Sequence, residues 1–204
     1  MPNAIDLEQF RFRPAIRQSL RKELGLSNEP VIICVARFRP EKNQQFLLPV
    51  LRSLLAERPD VVLLFAGDGP CEQAVRSDAD SMGLQNHIRF LGLRSDVADL
   101  LSAADVFVLP SLWEGMPVSV IEALACGLPC VVSDGCPEET TSFEPVTALS
   151  LQASAKNWAE ALQKAAACPR YDLHDQLREA GFDIRTAARQ LQDFYLSKHS
   201  EAME

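Results

Sequence analysis

No stretch of about 18 uninterrupted apolar residues, the length a membrane-spanning helix needs, occurs in this 204-residue chain. The opening MPNAIDLEQF also lacks the basic stretch followed by an apolar one that marks an export signal. A soluble, cytoplasmic protein is expected. Positive charge is scarce: 20 Lys and Arg against 28 Asp and Glu leave a net charge of −8. That balance disfavours nucleic acid or an anionic bilayer as the main partner and points to a small ligand. The six cysteines have neither the paired spacing of a zinc site nor the density of a disulfide-stapled domain, so buried, reduced thiols are expected. His87, His174 and His199 have no serine and acid companions from which a triad could be built. No G-x-G-x-x-G follows the first apolar run, so a dinucleotide oxidoreductase lacks its phosphate fingerprint. Asp78 and Asp80 form an Asp-x-Asp, but in a helical stretch residues two apart point to different faces, and no metal is expected.

What is present is a 47% apolar composition laid out as short β-branched runs alternating with amphipathic stretches. The alternation predicts an α/β fold, a doubly wound, Rossmann-like parallel sheet with helices on both faces and further helices trailing at the C-terminus. Strands are expected at 31–36, 61–66, 87–90, 106–109 and 130–133, with a weak one at 147–149. Helices are expected at 15–24, 41–57, 71–82, 96–103 and 117–126, then at 155–167, 173–180 and 184–197, with 134–146 mostly loop. The division is a lead-in at 1–14, the sheet domain at 15–170 and C-terminal helices and tail at 171–204. Right-handed crossovers favour the strand order 3-2-1-4-5-6, an inference by analogy. In that order the ends of the first and fourth strands, carrying Arg37 and the Glu114 loop, open on one crevice.

The segment LPSLWEGMPVSVIEALACGLPCVVSD, at 109–134, carries most of the chemistry. Pro117 suits a first helical position, and Val118, Ile121, Leu124 and Ala125 make one apolar stripe, which places Glu122 about one turn into the helix. Glu114 precedes that helix, and the free N–H groups of the first turn form an anion seat between the two carboxylates. Pro40 is read as another helix opener, so Lys42 falls in a first turn, where the dipole opposes it by a few tenths to about 1 kcal/mol unless an anion is bound. The Arg37 guanidinium and the Lys42 ammonium together suit a diphosphate. Residue by residue, blander readings stay open. Glu122 can complement the helix dipole with no ligand, Lys42 can lie along apolar surface, and Gly67, Asp68, Gly69 and Pro70 can simply make a turn.

Taken in order, these segments resemble the retaining glycosyltransferases of family 4, specifically the carboxyl-terminal, nucleotide-sugar-binding half of their two-domain GT-B fold. The resemblance rests on Arg37 with Lys42, the Gly-Asp-Gly-Pro turn, HIRFLG at 87–92, AADVFVLPS at 103–111, the spacing of Glu114 and Glu122, and GLPCVVSD at 127–134. The wording around EGMPVSVIEAL and EKNQ is most similar to transferases that assemble exopolysaccharide or capsule repeat units.

The resemblance implies a nucleotide-diphosphate sugar donor, uridine by preference. A hexosyl or N-acetylhexosaminyl group would pass with retention to a saccharide or lipid-linked saccharide, without a metal or other cofactor. Arg37 and Lys42 would hold the diphosphate, Glu122 the ribose hydroxyls and Glu114 the transferred sugar. Backbone at Gly115, Met116, Pro117 and Val118 would assist, with the base near Gly92, Leu93 and Arg94. Ala36 stands where glycine is usual before the arginine, and Asn43 where glycine is common after the lysine. An acceptor-binding domain would precede Met1, with residues 1–14 the linker from it. The chain is then expected to bind nucleotide with little or no transfer and to bare an apolar strip prone to self-association, the full-length enzyme sitting at the inner membrane. The rivals are a non-catalytic nucleotide-sugar-binding subunit with a separate acceptor-binding partner, and a doubly wound scaffold that never meets nucleotide.

Overall fold

A computed structural model describes residues 3–201; the outermost residues of the expected lead-in and tail, 1–2 and 202–204, lie outside the described residues, as does the side chain of His199. Six strands form one sheet: Val31–Val35 (β1), Val62–Ala66 (β2), Ile88–Phe90 (β3), Val106–Leu109 (β4), Cys130–Ser133 (β5) and Val146–Leu149 (β6). Every pairing is parallel and the order is β3-β2-β1-β4-β5-β6, the doubly wound arrangement expected from the alternation. In the centre Ile33 lies opposite Leu64 on one side and Phe107 on the other. β2, β4 and β5 are buried throughout and β1 nearly so, because helices cover both faces; hence their runs are continuously apolar instead of alternating. β6 is an edge strand with Thr147 and Ala148 exposed, which explains its weak apolar pattern.

The helices are Pro14–Glu23 (α1), Leu47–Leu55 (α2), Glu72–Ser81 (α3), Val97–Ala103 (α4), Val118–Ala125 (α5), Glu138–Thr141 (α6), Ala155–Ala166 (α7), His174–Glu179 (α8) and Ile184–Glu201 (α9). Two differ from expectation in ways that bear on the site. The stretch expected as one helix at 41–57 opens as two 3₁₀ turns, Pro40–Lys42 and Gln44–Phe46, and turns α-helical only at Leu47. Asn43 divides the turns in the left-handed region at φ 53°, a conformation incompatible with a continuous helix. Pro117 stands just outside α5 at φ −74° and ψ 91°, not at the first helical position.

Opposite the crevice edge, arginines close the bottom of the sheet. Arg17 donates to the carbonyls of Ala103 (2.9 Å) and Ala104 (2.8 Å), and Arg21 to Ala103 (3.0 Å). Arg170 donates to Ser102 (2.9 Å) and Ala104 (2.7 Å) and, with its other nitrogen, to Cys126 (2.7 Å) at the end of α5. These guanidinium groups satisfy carbonyls that the ends of α4 and α5 leave without intrahelical partners. Asp105 joins the system, taking Arg17 at 2.6 Å and the Val31 amide at 2.8 Å, so the start of β1 is pinned beside the start of β4.

At the N-terminus, Ile5, Leu7 and Phe10 are buried, and Ile5 exchanges backbone hydrogen bonds with Phe182 and Ile184, both 2.9 Å. The lead-in thus packs against the α8–α9 junction.

Candidate functional site

β1 and β4 are neighbours where the strand order reverses, so their carboxyl ends deliver two loops to one sheet edge. The first loop carries Arg37 and Lys42, the second Ser111 and Glu114. Backbone stitches them together: the Leu112 amide donates to the Glu41 carbonyl at 2.8 Å, and the Asn43 side-chain amide to the Pro110 carbonyl at 3.1 Å. A short polar side chain is tolerated in the left-handed region, which is why asparagine can stand at Asn43 where glycine is common.

Lys42 Nζ lies 2.6 Å and 2.8 Å from the two carboxylate oxygens of Glu114. Ser111 Oγ donates to Glu114 Oε1 at 2.6 Å, and Ser133 Oγ donates to the Ser111 carbonyl. The Glu114 amide donates to Gly135 at 2.9 Å. Glu114's side chain is 7% exposed and that of Lys42 24%, so the pair is largely withdrawn from water but open on the lysine side. Lys42 closes a three-residue 3₁₀ turn instead of opening an α-helix, so the expected conflict with a helix dipole does not arise; its charge is answered by Glu114.

Arg37 is two-thirds exposed, with its nearest ion-pair partner among the described residues, Asp68, at 3.9 Å. Asp68 is presented by a close backbone approach: the Phe38 amide donates to the Asp68 carbonyl at 2.7 Å. A Cβ on Gly67 would sit 2.1 Å from the Ala36 carbonyl oxygen, and one on Gly69 2.4 Å from that of Phe38. Those glycines therefore make more than a turn; they let the loops after β1 and β2 pack together.

Glu122, on α5, accepts no side-chain hydrogen bond among the described residues, and burial raises its carboxyl from 4.5 to about 7. Gly115, Met116, Pro117 and Val118 connect Glu114 to the first turn of α5. Pro117 has no amide and can only shape that connection, which corrects the expectation of a donor at every position. Gly92 accepts from the Gly67 amide at 2.8 Å, and Leu93 is 79% exposed. Arg94 is bound to Asp96 at 2.7 Å and 2.6 Å, and that pairing raises the arginine and lowers the aspartate. Asp78 on α3 accepts from Gln45 at 2.5 Å.

The structure thus joins Lys42 to Glu114 directly, while among the described residues no hydrogen bond or ion pair links Arg37, Glu122 and the 92–94 loop to one another. Ser111, Ser133 and Gly135 were not singled out in the sequence. A serine three residues before Glu114 was a readable signal; Ser133 and Gly135 gave none. Beneath the pair, burial pushes the thiols of Cys34 and Cys136 up to about 12, so both are neutral.

An open parallel sheet whose central loops converge at the reversal of strand order defines a Rossmann-like α/β domain. Residues 16–183 match the glycosyl transferases group 1, and the chain belongs to that family. EpsF of Bacillus subtilis (strain 168), which carries a glycosyltransferase designation without a stated substrate, is 35% identical over 200 residues, covering 96% of this chain and 52% of the relative. The UDP-Gal:alpha-D-GlcNAc-diphosphoundecaprenol alpha-1,3-galactosyltransferase of Escherichia coli is 40% identical over 140 residues, 66% of this chain and 36% of the relative. Among solved structures, Anabaena HepE in complex with UDP and glucose has the same fold, with a TM-score of 0.78 at 23% identity, over 96% of this chain and 55% of that one. The chain spans about half or less of the length of these proteins.

Proposed function

We propose that this chain is the donor-binding half of a retaining glycosyltransferase that takes its sugar from a nucleotide diphosphate, uridine diphosphate first among candidates. The observation that carries this reading is the Lys42–Glu114 pair, set at the switch point of the sheet and open on its cationic side. Lys42 and Arg37 hold the diphosphate and neutralise the charge it gains on leaving. Glu122 takes the ribose hydroxyls, and Glu114 takes hydroxyls of the transferred sugar and faces positive charge at its anomeric carbon. Free amides between Gly115 and Val118 assist at the start of α5, and the base rests by Gly92, Leu93 and Arg94. In transfer the bond from the anomeric carbon to the diphosphate oxygen breaks, and the acceptor oxygen bonds on the same face. The acceptor proton passes to the departing phosphate, and no metal takes part.

The acceptor is a saccharide or lipid-linked saccharide in polysaccharide assembly, the lipid-linked form being supported by the GlcNAc-diphosphoundecaprenol in the name of the Escherichia coli relative, and it binds on a second, acceptor-side half. The whole enzyme works in the cytoplasm, peripheral to the inner membrane. Among the described residues no helix is long and apolar enough to cross a membrane. Calorimetry with UDP and GDP tests the reading. Binding of one of them is expected, lost in Arg37→Ala and in Glu122→Ala. A native chain that binds neither nucleotide is a scaffold, and the proposal fails.

A further inference from the structure

Glu114 takes three side-chain contacts, two from Lys42 and one from Ser111. On the functional reading above, which this inference assumes, Lys42 turns toward the diphosphate when donor binds. A single ammonium has one charge and three donors to divide, so its hold on Glu114 weakens. That leaves a nearly buried carboxylate in need of another partner. The Ser111 hydroxyl cannot follow the phosphate. Ser111 is fully buried in the loop just after β4, its carbonyl bonded by Ser133, and the preceding carbonyl, that of Pro110, is bonded by Asn43.

We propose that Ser111 is a positioning residue for the transferred sugar: its hydroxyl keeps the Glu114 carboxylate aimed into the crevice while Lys42 serves the diphosphate. The arrangement divides the carboxylate. Oε1 stays with Ser111, and Oε2, released by Lys42, becomes the acceptor for a sugar hydroxyl.

The test compares affinities for UDP and for UDP-glucose, UDP-galactose and UDP-N-acetylglucosamine, and for GDP and GDP-mannose, in the native chain, Ser111→Ala, Glu114→Ala and the double variant. For at least one sugar, the affinity relative to its own bare nucleotide is expected to fall roughly tenfold or more in Ser111→Ala, the scale of one hydrogen bond to a charged group. Glu114→Ala should lower the same ratio, and the double variant should lower it no further than Glu114→Ala alone. Ser111→Thr, which keeps the hydroxyl, should restore part of it. A common loss for bare and sugar-bearing nucleotide would mean a merely structural serine and overturn the inference, as would ratios unmoved in either single variant. So would losses that simply add in the double variant. Failure of the native chain to bind any nucleotide sinks the functional reading itself, whereas bound nucleotide with unmoved ratios sinks only the role of Ser111.

Discussion

A carboxyl that titrates near neutrality ties two measurable properties to one residue. Glu122 has no cation or donor to compensate its burial, so its native value of about 7 stands above the 4.5 of an ordinary glutamate. Below pH 4.5 the group is protonated in both folded and unfolded chains and nothing is lost. Between 4.5 and about 7 the native state keeps a proton that the unfolded chain releases, so stability falls as pH rises and levels off above about 7. Ribose hydroxyls would be held best by the ionised form, so UDP affinity should change the other way, rising with pH through about 7. Chemical denaturation and calorimetry across this range should show both slopes in the native chain and lose the Glu122 share of each in Glu122→Gln. Equal slopes in the two proteins would mean that Glu122 does not titrate in this range. At this scale, Glu114 could be singled out by its place in a loop at the sheet's carboxyl edge, whereas Lys42 was singled out by a helix start that the structure does not have. Their direct contact was not legible, since it depends on Asn43 turning the chain left-handed so that Lys42 faces Glu114.

Elements were legible where burial is two-sided and illegible where one residue redirects the chain. β1, β2 and β4 declare themselves as unbroken apolar runs and β5 as one up to Ser133, while the order of the strands was reached only by analogy with the commonest doubly wound arrangement. The late start of α2 and the displacement of Pro117 reflect local backbone choices that helix periodicity does not encode. Also hidden was Arg170, which lies 44 residues from Cys126 in sequence yet bonds its carbonyl. Its guanidinium also stacks 4.0 Å from the ring centre of Phe12 and caps the end of α4. Arg170→Met should destabilise the fold by about 2 to 4 kcal/mol, since several buried carbonyls lose their donor at once. The folded variant should still bind nucleotide, because the capped ends lie opposite the crevice; thermal melts with and without UDP separate the two effects. α9 makes a different kind of prediction. Ile184, Leu191, Phe194 and Tyr195 are each more than 40% exposed and recur at helical spacing, an apolar strip on its outer side. Self-association through this strip is the outcome to test. Sedimentation velocity should show mass rising with concentration, and Phe194→Glu with Tyr195→Glu should abolish the rise; a native chain that stays monomeric at high concentration refutes it.

At the scale of the molecule, the candidate site among the described residues is a single wall, the carboxyl edge of one sheet. The loops after β1, β3 and β4 share a single sheet edge with the start of α5, and on the proposed reading the loops account for diphosphate, base and sugar and Glu122 of α5 for the ribose. Nothing in that set is assigned to the acceptor, and the chain covers 52% of the length of its Bacillus relative and 55% of the HepE chain. Much of the barrier to a two-substrate transfer is overcome by holding both partners in line, an effect worth roughly 7 to 11 kcal/mol for well-oriented groups. On the proposed reading a wall that holds the donor alone cannot supply that alignment, although its Arg37 and Lys42 would still stabilise the leaving diphosphate. Binding and turnover should therefore separate. The 204-residue chain is expected to bind UDP, gaining about 2.7 kcal/mol of stability at a hundred times the dissociation constant. Incubated with radiolabelled nucleotide sugars and polyprenyl-diphosphate saccharides it should transfer almost nothing, and adding an acceptor-binding half should raise the rate by orders of magnitude. Sustained turnover by this chain alone would mean that its one wall, or a second copy of it, aligns the acceptor. In that case the apolar strip on α9 would be the first place to look for how two copies meet.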